Sequence, residues 1–117
     1  MLLLENIESY SNQFVIFLPS VKNNLIPNSI FTSIIYSPPI ISFSGLYLAI
    51  PDKQDVMSKI YTIEKNILTM YNSPKIMISL IHTNLIYNKF QHKPKLILKI
   101  SGIWENETSY GLAYKFI

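Results

Sequence analysis

The chain has 117 residues, enough for one domain with a core of its own. Hydrophobic residues make up 49% of it, which excludes a disordered segment, and the lack of cysteine excludes disulfides and thiolate metal sites. A formal net charge of +3 comes from ten lysines and no arginine, so no guanidinium fork is available for base edges or phosphates.

Met1-Leu-Leu-Leu-Glu-Asn6 lacks the basic start and long apolar core of a secretion signal. No charge occurs between Asn23 and Pro51, but Pro27, Pro38, Pro39 and many polar residues interrupt that stretch well short of the ~20 apolar residues a membrane span needs. The expectation is a soluble, intracellular domain over residues 1–117, without membrane association. Isoleucine occurs 20 times and asparagine ten, against two alanines. This bias follows AT-rich codons and suits a virus or an intracellular organism.

Asn12–Leu18 and Ser29–Tyr36 read as short strands, separated by the Asn- and Pro-containing loop that starts at Lys22. Pro38-Pro39 ends the second of them. Ile40–Ile50 alternates, with Gly45 in its middle predicting a bulge or sharp bend. Asp52–Tyr71 changes period. Val56, Ile60, Ile63, Ile67 and Met70 recur at helical spacing, Asp52 can cap the first turn, and Asn72-Ser73-Pro74 closes it. Ile76–Ile81 and Leu85–Phe90 then look like strands, followed by the basic turn Lys89–Lys95.

The last 23 residues alternate most strongly and predict a β-hairpin. Parity puts Leu96, Leu98, Ile100 and Trp104 on one face of its first strand, and Lys95, Ile97, Lys99, Ser101 and Ile103 on the other. Trp104 is therefore expected in the core. Tyr110, Leu112, Tyr114 and Phe116 share one face of the second strand, which suits either a barrel interior or a binding groove. The fold class that follows is mainly β, α+β by content: a small OB-like barrel with one helix between the third and fourth strands. A small α+β sandwich gives the same order of elements.

Leu98-Lys-Ile-Ser-Gly-Ile-Trp-Glu105 and Tyr110-Gly-Leu-Ala-Tyr-Lys-Phe116, joined by a short polar loop, resemble the end of OB-fold single-stranded-DNA-binding proteins of large DNA viruses. Those are similar to the podophage replication type. Ile63-Glu-Lys-Asn-Ile-Leu68 resembles the helix they carry before the fourth strand. The resemblance covers the chain from Asp52 onward. It implies non-specific binding of single-stranded DNA in viral replication or recombination, self-association or contacts to replication proteins, and a place at sites of viral replication in host cytoplasm or nucleus. The phage members end in an acidic tail, whereas this chain reads Lys115-Phe-Ile117.

From Lys65 to Trp104 there are six lysines and no carboxylate, which predicts a basic surface, although codon bias alone also favours lysine. The candidate contacts are Lys89, Lys93, Lys95, Lys99, Ser101 and Lys115 for phosphates, with Tyr47, Tyr110 and Tyr114 for stacking. With fourteen Tyr and Phe in the chain, most of the rings must be core. His82 and His92 are expected to be hydrogen-bonded or surface residues, and no metal or other cofactor is expected. Without a phosphate-binding glycine loop, nucleophile elbow or paired-histidine motif, catalysis is not expected. The alternative is a structural or assembly module of a virus, built on a small β-barrel.

Overall fold

The structure is a computed structural model that describes residues 3–4, 7–23, 26–50, 56–88 and 96–117. Its first strands are β1 (Leu3–Leu4), β2 (Val15–Phe17), β3 (Val21–Lys22) and β4 (Ile30–Tyr36), followed by β5 (Phe43–Ser44) and β6 (Leu46–Ile50). Helix α1 (Val56–Tyr71) leads to β7 (Ile76–Ile78), α2 (Ile81–Asn88) and the closing hairpin of β8 (Leu96–Glu105) and β9 (Ser109–Phe116). The strands form one mixed sheet, so the domain is mainly β, as expected. The sheet does not close into a barrel. Among the described residues β1 pairs only with β6 and β7 only with β9, so the two ends of the sheet never meet.

β8 is the spine of this sheet. Along one edge it carries β9. Its other edge is divided: Leu96–Ile100 pairs with β6 and Gly102–Glu105 with β4. At the division sits a bulge, since Ile100 faces Tyr114 and Gly102 faces Ala113, leaving Ser101 over. An extra residue shifts the alternation of side chains by one position. Leu96, Leu98 and Ile100 point inward before the bulge, and Ile103, fully buried, does so after it. The expected pairing of Trp104 with the core side is therefore corrected. Trp104 is half-buried on the outer face, and Ile103 takes the core position.

Gly45 lies where β4 and β6 diverge. Its φ of +84° is a conformation that side chains disfavour, and a Cβ there would stand 3.1 Å from the Ile100 carbonyl oxygen. The bend expected at this glycine is present, between β5 and β6.

α1 covers the inner face. Val56, Ile60, Ile63, Ile67 and Leu68 are buried in one cluster with Leu46, Leu48, Leu98, Ile100 and Ile103. Each aliphatic chain of this kind contributes about 1.5–3 kcal/mol relative to exposure. Leu68 takes the place expected of Met70, which is 40% exposed. The helix stops at Asn72, whose φ of 59° turns the chain while its N–H still reaches the Leu68 carbonyl at 3.1 Å. The expected cap at Asp52 lies outside the described residues.

α2 stands where Leu85–Phe90 reads as a strand. Its first turn is satisfied from a distance: the buried Glu64 carboxylate of α1 accepts the N–H groups of Leu80 (3.1 Å) and Ile81 (3.4 Å). A carboxylate at a helix N-terminus also complements the helix dipole. Ile81 and Leu85, four residues apart, are both fully buried. A helix whose cap comes from 16 residues upstream leaves no local start signal.

Candidate functional site

The outer face of the sheet, opposite α1, gathers the chemistry. Tyr47 of β6, Lys99 of β8 and Lys115 of β9 are register partners and form one row across three adjacent strands. The Lys99 ammonium sits 5.5 Å from the centre of the Tyr47 ring, a cation–π contact. Lys115 is exposed and directly opposite Lys99, an arrangement that costs stability through like-charge repulsion. Neither ammonium forms an ion pair with any described residue.

A second row lies five residues along the bulged β8 and four along β9, roughly 13–17 Å away at ~3.3 Å per residue. Phe31 of β4 faces Trp104, and Trp104 faces Gly111 of β9. The indole lies across Gly111, where a Cβ would come within 2.8 Å of its ring. Gly111 thus lets the tryptophan lie flat on the outer surface. The Phe31 ring covers Gly102 in the same manner, 2.8 Å from where a Cβ would be. The outer face presents two uncompensated lysines and a tyrosine at one end, and a tryptophan and a phenylalanine at the other.

At the fork between β4 and β6 this face has a recess of about 240 Å³. Leu18, Ser33, Ile34, Ile35, Ser44, Gly45, Lys99 and Ser101 line it. The bulge that turns Trp104 outward also leaves Ser101 at the recess.

Among the expected contacts, Tyr47, Lys99, Ser101 and Lys115 are brought together here. Tyr110 and Tyr114 are not, because both belong to the inward face of β9. Tyr110 is buried, with its ring 5.8 Å from that of Tyr71. Tyr114 packs against the core and its hydroxyl bonds with the Asn84 amide. Burial, and then the charge of Glu64, push the Tyr114 phenol above its ordinary pKa. Lys89, Lys93 and Lys95 lie outside the described residues. The sequence reading missed Phe31, Ser33, Ser44 and the outward role of Trp104. The available signal was Ser101-Gly102 in mid-strand, since glycine there often marks a bulge.

A contrasting polar corner closes the far end of β8. Tyr71 donates to Glu105 at 2.7 Å, and Lys75 pairs with the same carboxylate at 2.9 Å while donating to the Asn106 carbonyl at 2.6 Å. Burial alone would raise the pKa of Glu105, but the hydrogen bonds from Tyr71 and Lys75, with the lysine charge, hold it below the usual carboxylate value. Burial, followed by the bond to Glu105, raises the Tyr71 phenol.

No described helix is long and apolar enough to cross a membrane. No group of three or more His, Cys, Asp or Glu that could hold a metal ion occurs among the described residues. Comparison with protein-family models, curated proteins and solved structures found no match.

Proposed function

We propose that this domain binds single-stranded DNA without sequence specificity through the outer face of its sheet. One observation carries this reading: Tyr47, Lys99 and Lys115 stand in a single row of register partners, with neither lysine neutralised by a described carboxylate. Phosphates would pair with the two ammonium groups. Bases would stack on Trp104, Phe31 and Tyr47, each worth about 1–3 kcal/mol. Without arginine, the contacts are point charges and rings, which suit any sequence equally. The resemblance of the terminal hairpin supports a role in coating single strands during viral replication or recombination, alongside further copies of the chain or replication proteins.

The single tryptophan lies on the proposed face, so titration with oligo-dT can be followed by its intrinsic fluorescence. The expected result is quenching at low salt, with affinity falling as salt rises. No binding at about 50 mM salt, or affinity indifferent to salt, would overturn the proposal.

A second reading, an assembly module, rests on a different observation. Ile16 of β2, Leu18 just after it and Val21 of β3 are 48%, 39% and 59% exposed, continuous with Phe31 and Ile35. Such a strip favours association. Light scattering on the same samples separates the two: concentration-dependent oligomers that ignore oligo-dT support assembly alone.

A further inference from the structure

We infer that the recess at the strand fork receives a terminal phosphate, a phosphate monoester at the end of a DNA strand; this rests on the proposed single-strand reading and specifies it. Several serine hydroxyls of this chain are committed. Ser20 bonds to Thr32, Ser29 to the Ile26 carbonyl, and Ser37 to Ser42. The hydroxyls of Ser33, Ser44 and Ser101 have no hydrogen-bond partner among the described residues, and all three line the same recess. Lys99 joins them there, and no carboxylate does. Three free hydroxyl donors and one ammonium, with no competing anion, match a group that is rich in acceptors and negative.

The shape of the recess selects among phosphates. It lies where β4 and β6 separate, and its volume of about 240 Å³ has room for a phosphate group. A phosphate within a strand has a sugar on both sides and must pass along a surface. A terminal one can enter a recess bounded by two diverging strands, bringing three free oxygens and a charge near −2 at neutral pH. Leu18 and Ile35 supply apolar side chains along one side of the recess. The row of Tyr47 and Lys115 adjoins Lys99, so a strand anchored at its end would continue onto the open face.

The test compares three oligo-dT samples of one length: 5′-phosphorylated, 3′-phosphorylated and unphosphorylated. One phosphorylated form should bind about tenfold more tightly than the unphosphorylated one. Ser33→Ala with Ser44→Ala should erase that preference, bringing the three samples to one affinity. Equal affinity for all three samples would overturn the end-phosphate proposal and leave single-strand binding standing. Should no oligonucleotide bind, amide NMR shifts on adding inorganic phosphate decide the matter. Shifts confined to Gly45, Ser101 and their neighbours keep the phosphate site and discard single-strand binding; no shifts discard both.

Discussion

The two ends of β8 use the same residue types to opposite purposes. At one end Lys75, Glu105 and Tyr71 satisfy one another, and the lysine also reaches a backbone carbonyl. At the other, Lys99 and Lys115 face each other with only a tyrosine ring for company. Closed polar networks stabilise and fix geometry. An open pair of like charges destabilises the free protein and is relieved only by an external anion. The difference marks which lysines hold the fold and which are left for a partner.

That contrast can be broken most forcefully at the closed end. Glu105→Ala should cost about 1–3 kcal/mol in denaturant unfolding, because it leaves the Tyr71 hydroxyl without its acceptor and Lys75 without its carboxylate, yet leave oligo-dT affinity unaltered. If DNA affinity fell in step with stability, the two ends would not be separable. The same corner has a pH signature. Glu105 has a lower pKa folded than unfolded, so its stabilisation is complete above the ordinary value of 4.5 and disappears as pH falls through the lower folded value. The stability gap between the wild type and Glu105→Gln should therefore shrink on acidification below 4.5; a gap that stayed constant would refute the linkage.

At the open end the effects move from stability to binding. Lys99→Ala combined with Lys115→Ala should weaken oligo-dT binding about tenfold at low salt and reduce the salt slope by about 1.4, at ~0.7 per phosphate contact. An unchanged slope would show that these lysines touch no phosphate. The smallest effect is expected from Lys115→Ala alone. Removing one of two facing charges should raise unfolding stability by up to about 0.5 kcal/mol, and a measurable loss would mean that Lys115 has a structural partner.

The sequence carried the strand-rich class, the helix ending at Asn72 and the closing hairpin, because each rests on local periodicity or a local stop signal. It did not carry α2, since Glu64 caps that helix from a distance and its short apolar run suits a strand as well. Barrel closure was equally out of reach, because pairing between sheet edges depends on distant segments meeting. Of the site, Lys99 and Tyr47 were legible by residue type. Tyr110 and Tyr114 read alike from inside or outside a sheet, and only the packing of β9 against Tyr71 and Asn84 settles their direction. Trp104 was misread by parity, an argument that assumes an unbroken strand.

Ser101 makes the length of β8 as informative as its composition. A substitution there edits one side chain. Deleting that residue would remove the bulge and join Ile100 to Gly102 as consecutive partners of Tyr114 and Ala113, with Ile103 still inward and Trp104 still lying over Gly111; the same strand ironed flat with Ser101 kept would instead send the indole toward the helix and Ile103 into water. Relatives of this domain should therefore tolerate an exchange, or the loss of the one extra residue, at this position far more readily than a residue added or lost elsewhere between Leu96 and Glu105 with the bulge kept.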